Sequence, residues 1–299
     1  GFAEIWLIAY LIIKKEDYAL YSDGKYVPFL NKEVLELLVR KPSDFAIKAF
    51  DVSGVRLDLF NKYREVLNLA HTKGIGETSF VETVRPFITF YKKLPEYAKT
   101  TKKLSKKAID LRDVLAKAKD PEDTFFIDLP GALGFISADL LNNKVLLVDF
   151  VNILQDSIRE LRTCYDELLT RIESYILDTL GIKETSYESY KPIIELRYLG
   201  VKEHLLPTKQ KAFYSRIITN LKDRKVWLNS LTFPFLNKPL ENILDEEEEW
   251  LLDKLKHAFL ELLNYIDIQN LNVNPQDEVF KFDLTTIQRG SMNKQVVIP

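Results

Sequence analysis

The sequence predicts a mainly α-helical protein: a multi-helix bundle with a long central helix, a small winged-helix-like α+β element at the N-terminus and a C-terminal β-hairpin. Of its 299 residues, 46% are hydrophobic and 29% are charged, which is enough apolar bulk for a folded core. Only ten glycines occur. Sandwiches, barrels and doubly wound nucleotide-binding folds use more glycine at their turns, so the composition favours helices.

The long central helix is predicted over residues 144–179. Apolar residues recur there at spacings of four and three without a slip, which is the heptad pattern of a packed helix. Further apolar residues beside this seam widen the stripe, which favours a helix bundle over a two-stranded coiled coil. The seam consists of Leu147, Val151, Leu154, Ile158, Leu161, Tyr165, Leu168, Ile172 and Tyr175.

The first 51 residues are predicted to form the α+β element. Their opening run, GFAEIWLIAYLII, predicts a buried helix, because about a dozen apolar residues are too few to span a bilayer. A chain that begins inside an apolar helix is interpreted as a piece of a longer protein.

A hairpin, a helix and a strand are predicted to follow. The Asp23–Gly24 pair favours a type I′ turn, since both central residues of that turn need positive φ. Asn31 is the predicted N-cap of a helix that ends before Pro42, and residues 45–50 alternate as a strand does. This content is about half of a winged-helix domain; a small α+β cap on a helical domain is the alternative.

The rest of the chain is divided into a helical subdomain at 52–135, the long-helix bundle at 136–271 and the C-terminal β-hairpin at 272–299. Ser105 and Asp120 are predicted N-caps within the subdomain. The acidic run 245–249 opens the last predicted helix. Acidic side chains are stabilised by the positive end of a helix dipole, so we interpret this run as a solvated helix N-terminus.

Motifs for catalysis are missing from the sequence. The loop KGIGETS at residues 73–79 lacks the Gly-Lys-Ser/Thr core of a phosphate-binding loop and follows a predicted helix instead of a strand. The three histidines are scattered, and Cys164 lies beside the heptad seam as a small buried residue. We therefore expect no catalytic residue, no cofactor and no metal site in this chain. A single cysteine fits the reducing cytoplasm.

One segment stands out by its charge. From Lys92 to Lys119 it carries ten Lys or Arg residues against three acidic ones, whereas the whole chain has a net charge of −2. The first interpretation is the solvated face of ordinary helices; contact with nucleic acid or with an acidic protein is the alternative. Tyr91 and Tyr97 could then stack on bases. The candidate contact residues are Lys92, Lys93, Lys99, Lys102, Lys103, Lys106 and Lys107.

Two stretches together resemble a known kind of protein. They are YALYSDGKYVPFLNKEVLELLVRKPSDFAI near the start and DRKVWLNSLTFPFLNKPLENILDEEEEWLLDKLKHAF near the end. They are similar to the region downstream of the nucleotide-binding core in large P-loop ATPases of bacterial, BREX-like anti-phage defence systems. The resemblance implies a winged-helix-like element followed by a long helical region. No catalytic residue carries over, because the Walker motifs of that family have no match here.

These observations together predict a non-catalytic interaction and scaffolding region of a larger cytoplasmic P-loop ATPase. Its expected partners are the rest of the parent protein, a further protein or a second copy of itself, and no membrane. The alternative is a sequence-independent nucleic-acid-binding module that uses the basic segment 92–119. An enzyme in its own right is the third hypothesis.

Overall fold

The computed structural model describes residues 2–13, 18–27, 30–49, 59, 80–118, 120–269, 284–286 and 290–292. It confirms a mainly helical protein with a small three-stranded antiparallel sheet. The chain divides into two compact units, Gly1–Cys164 and Tyr165–Pro299. The boundary between the units falls within the longest helix, and the four-part division made from the sequence stays a prediction.

The first unit begins with the sheet element. Helix α1 (Phe2–Ile13) precedes the hairpin of β1 (Tyr18–Ser22) and β2 (Lys25–Tyr26), which is followed by α2 (Lys32–Arg40) and β3 (Phe45–Ala49). Both outer strands pair with β1 antiparallel, so the strand order is β2-β1-β3.

The predicted local signals of this element are confirmed. Asp23 and Gly24 connect β1 to β2 with φ of 49° and 71°, the left-handed conformation that a type I′ turn requires. The side chain of Asn31 accepts a hydrogen bond from the Val34 N–H at 2.9 Å and so caps α2. Helix α2 ends at Arg40, two residues before Pro42.

Helix α1 contradicts the prediction of a buried helix. Leu11 is buried with Tyr18, Leu20 and Leu38, and the Tyr18 hydroxyl donates to the Leu11 carbonyl at 2.7 Å. Ile8 is half-buried, and the other large apolar side chains of α1 are exposed, with Trp6 68% accessible. The prediction was wrong because an apolar pattern shows that a helix favours burial but does not show which other segments bury it. We call the exposed residues the α1 apolar surface: Phe2, Ile5, Leu7, Tyr10, Ile12, Ile13 and Trp6.

Short helices follow in the described part of the first unit, before the longest helix. They are α3 (Phe80–Lys93), α4 (Glu96–Thr100), α5 (Lys106–Lys117), α6 (Pro121–Asp123), a π-helical turn (Thr124–Asp128), α7 (Leu129–Ala132) and α8 (Ser137–Asn142). Phe87 and Phe125 meet edge to face at 5.0 Å between ring centroids within the buried core. The buried Arg112 guanidinium donates to the carbonyls of Ala98 and Thr101, which fixes the chain between α4 and α5.

The long helix is α9, Lys144–Leu180, as the heptad seam predicts. Its inward seam residues Leu154, Leu161 and Leu168 are fully buried. The Asn143 side chain accepts from the N–H groups of Val145 and Leu146 at the start of the helix.

In its described residues the second unit contains the rest of α9 and four further α-helices, which are α10 (Tyr187–Tyr198), α11 (Thr208–Ile218), α12 (Arg224–Leu236) and α13 (Asp245–Gln269). Aromatic side chains lie among the leucines and isoleucines of its buried core. Trp227 lies beside Tyr187 and Tyr190, and Tyr198 donates to the Phe259 carbonyl at 3.0 Å.

The acidic run 245–249 is only partly solvated, which corrects the sequence interpretation. Glu248 is buried, and the Arg171 guanidinium donates to both of its carboxylate oxygens at 2.8 and 3.0 Å. Glu247 accepts from Lys238 and from the Leu244 N–H. The helix pattern alone could not show this, because the partner of Glu248 lies 77 residues away in the chain.

Two short strands lie near the C-terminus. β4 (Leu284–Thr286) pairs antiparallel with β5 (Gly290–Met292). The rest of the predicted hairpin region 272–299, the loop at 73–79 and His71 lie outside the described residues.

Candidate polyanion-binding surface

The basic segment does not form one continuous helix. Helix α4 ends at Thr100 and α5 begins at Lys106. Between them Ser105 acts as the N-cap, because its hydroxyl accepts from the Ala108 N–H at 3.2 Å. Lys99 therefore does not continue the face on which Lys106 lies.

The seven candidate lysines separate into two groups. They differ in exposure, and Lys99 and Lys107 are half-buried. Lys99 pairs with Glu96 at 2.7 Å and lies over the Tyr91 ring. The other five side chains are exposed to solvent, and they are Lys92, Lys93, Lys102, Lys103 and Lys106.

Lys107 has a structural partner in a neighbouring turn. Its ammonium group donates to the Leu133 carbonyl at 2.8 Å. The adjacent Gly134 has φ of +88°, and a Cβ on it would lie only 2.8 Å from the Lys107 nitrogen. Glycine thus allows the turn to approach the lysine, which holds α5 against α7.

The aromatic rings of the segment do not project into solvent. Tyr97 is buried, so it is not available for base stacking as the sequence suggested. Tyr91 and Phe90 are half-buried, and each lies beneath a cation.

Helix α9 contributes two arginines that the sequence argument missed. The Arg162 guanidinium lies 5.3 Å from the centroid of the Phe90 ring at the end of α3. The Ser105 hydroxyl donates to Glu160 at 2.6 Å, so α9 also contacts the start of α5. Arg159, paired with Asp156 at 2.8 Å, is exposed on the same stretch of α9.

These contacts join three elements that each carry exposed cations. Leu161 is buried and points inward. Successive helix residues are rotated by about 100°, so Glu160 and Arg162 lie on opposite sides of Leu161 and Arg159 lies on the outer face. Helix α9 thus contacts the start of α5 through Glu160 and the end of α3 through Arg162, and all three places carry exposed cations. We call this the basic band: Lys92, Lys93, Lys102, Lys103, Lys106, Arg159 and Arg162.

The arginines could have been noticed as polar positions beside the heptad seam. Nothing in the sequence, however, connects residue 162 with Phe90, since 72 positions separate them. Local charge counting found only the part of the band that is contiguous in the chain.

The other groups considered for chemistry are dispersed. Cys164 is buried, and its thiol contacts the Leu161 carbonyl at 3.5 Å. His257 lies 3.4 Å from Asp253 one turn earlier on exposed α13 positions. Within the part of the chain that the structure describes, no group of three or more His, Cys, Asp or Glu side chains could hold a metal ion.

Comparison with protein families, with curated proteins and with solved structures finds no match to this chain. Among the described helices, none combines the length and the apolar character needed to cross a membrane.

Proposed function

We propose that this chain is a non-catalytic interaction and scaffolding region of a larger bacterial P-loop ATPase acting in anti-phage defence in the cytoplasm. The α1 apolar surface is the observation that carries the proposal. A soluble protein does not usually leave most of a helix of this composition uncovered.

The energetic reason is the size of the exposed side chains. Ile5 and Trp6 are 67% and 68% accessible, and Ile13 is 75% accessible. Full burial of one large apolar side chain is worth about 1.5–3 kcal/mol. Covering several of them supplies enough free energy to hold another protein surface in place.

A protein surface fits α1 better than a lipid surface does. Helices that lie in the membrane interface have one strongly charged face. The sequence of α1, FAEIWLIAYLII, has Glu4 as its only charged residue and is apolar on all sides. A helix of this kind belongs inside a protein core, so we assign its cover to the rest of the parent protein.

The ATPase context rests on the two stretches that resemble defence ATPases. The first corresponds to the sheet and α2, and the second to α12 and the start of α13. The winged-helix-like description of residues 1–51 and the C-terminal hairpin belong to this proposal as well. Nucleotide hydrolysis is then assigned to another part of the parent protein.

The gene sequence upstream of Gly1 tests the proposal most directly. We expect an open reading frame that continues upstream and encodes a Gly-x-x-x-x-Gly-Lys-Ser/Thr motif. A start codon immediately before Gly1 contradicts the proposal. The purified chain should also hydrolyse no ATP or GTP above background and bind neither with micromolar affinity.

The docking role of α1 is tested in the full-length parent. Ile5→Glu combined with Trp6→Glu should make the junction with this region susceptible to limited proteolysis and lower the ATPase activity. The matched control is Leu196→Glu with Leu199→Glu, because those leucines, in the last turn of α10 and directly after it, are 71% and 70% accessible. Equal effects of the two double variants would refute a specific role for α1.

A further inference from the structure

We infer that the basic band binds the phosphate backbone of duplex nucleic acid without reading its sequence. This function goes beyond scaffolding, and it uses a surface other than α1. It rests on the composite of α3, the α4–α5 connection and α9, which only the folded chain assembles.

The dimensions of the band fit a duplex backbone. Neighbouring packed helices lie about 8–10 Å apart, so a surface across three adjacent elements extends over about 20 Å. Base pairs rise by about 3.4 Å, and the band therefore faces roughly six of them. A surface of this extent can contact several phosphates at once.

Three of the carboxylates near the band have partners within the protein. Glu160 accepts from Ser105, Asp156 is paired with Arg159, and Glu96 is paired with Lys99. The ion pairs place two of these negative charges beside cations, but Glu160 keeps its charge because Ser105 is a neutral donor. The excess of positive charge therefore comes from residues 92–107, which carry seven lysines against one acidic residue in a chain whose net charge is −2.

The side chains favour phosphate contact in a duplex over stacking with a single strand. Five of the seven cations are lysines, which act as point charges toward phosphates. Single-strand binding relies on exposed aromatic rings for stacking. Phe90 and Tyr91 are half-buried beneath cations, and Tyr97 is buried.

An acidic protein partner is the less favoured occupant. Protein interfaces combine charge with a desolvated apolar or aromatic centre. Among described residues of 80–118 and 149–164, the segments that supply the band, no large apolar side chain is exposed. These segments therefore expose cations without an exposed apolar centre, as a phosphate-binding surface does.

The test is fluorescence anisotropy of the whole chain with a labelled random-sequence DNA duplex. If about five phosphates are neutralised, affinity should fall about 500-fold between about 50 mM and about 200 mM salt. Lys102→Glu, Lys103→Glu and Lys106→Glu together should weaken binding at least about 100-fold. Arg162→Glu alone should weaken binding of the duplex about tenfold. Because Arg162 lies outside the segment 92–119, this loss would show that α9 takes part in binding.

The matched control reverses the same number of charges elsewhere. Lys209→Glu, Lys222→Glu and Lys256→Glu lie on exposed positions of the second unit and change the net charge equally. This control should retain most of the affinity, and circular dichroism melts should show that both triple variants fold.

Several outcomes would overturn the inference. These are no binding at about 50 mM salt, equal losses in the two triple variants, or tighter binding of a single strand than of the duplex. If poly-glutamate binds as tightly as the duplex and loses affinity in the same variants, the band binds an acidic protein and not nucleic acid. None of these results bears on the α1 apolar surface, so the two proposals fail independently.

Discussion

The hydroxyl of Ser105 donates to the carboxylate of Glu160 at 2.6 Å and accepts from the Ala108 N–H at 3.2 Å. The Ser105 N–H donates to the same carboxylate. One side chain thus caps α5 and connects it to α9, and a carboxylate lies at the positive end of the α5 dipole.

Replacing Ser105 by alanine should lower the free energy of unfolding by about 1–2 kcal/mol, because it removes a helix cap and a charged hydrogen bond. Ser186 provides a control, since it precedes α10 without a side-chain cap. Ser186→Ala should cost only a few tenths of a kcal/mol. Urea denaturation measures both, and equal effects would disprove the capping role.

The continuity of α9 can be tested with proline. Ile158 is buried in the middle of this helix, so Ile158→Pro should cost roughly 3 kcal/mol or more through a lost hydrogen bond and a clash with the preceding turn. Lys144→Pro is the control. Position 144 is the first of the helix and Asn143 is extended, a geometry that accepts proline. If the melting temperatures of Ile158→Pro and the parent agree within a degree or two, the helix is not continuous.

Two adjacent glutamates of α13 should differ in their contribution to stability. Glu248→Ala leaves the Arg171 guanidinium without its bidentate partner and should destabilise the second unit by about 2 kcal/mol. Glu249→Ala removes the same charge from an exposed position and should stay within about 0.5 kcal/mol of the parent. Chemical denaturation of the two variants compares them. A similar loss in both would mean that the effect comes from the helix dipole and not from the ion pair.

Alkaline pH should weaken the contact between α1 and β1. Burial, with a contribution from Tyr10, raises the pKa of Tyr18 from 10.0 to about 12. Because the folded-state pKa is raised, the stabilisation is complete below pH 10 and is lost as the pH rises toward about 12. Ionisation also removes the proton that Tyr18 donates to the Leu11 carbonyl.

Tyr18→Phe has no proton to lose at this position. The unfolding free energy of the parent should therefore fall relative to that of Tyr18→Phe as the pH rises from 10 to about 12. The measurement is urea denaturation of both proteins across this range. A difference that stays constant would show that Tyr18 does not titrate in a way that is coupled to folding.

Local structure was readable from the sequence wherever its cause is local. The heptad seam predicted α9 because a helix shows the same face every three or four residues. Asp23–Gly24 predicted the turn because few residues tolerate positive φ, and Asn31 and Ser105 predicted helix starts because their side chains accept nearby N–H groups.

The tertiary structure decided which of these local features face solvent and which meet a distant partner. It left α1 exposed, buried Glu248 against Arg171, removed Lys99 and Lys107 from the exposed group, and placed Arg162 beside Phe90. The physical reason is that burial and ion pairing depend on which segments approach one another in space. Periodicity and capping depend only on neighbours within about one helical turn, and so the sequence by itself determined the elements but not the surfaces they form.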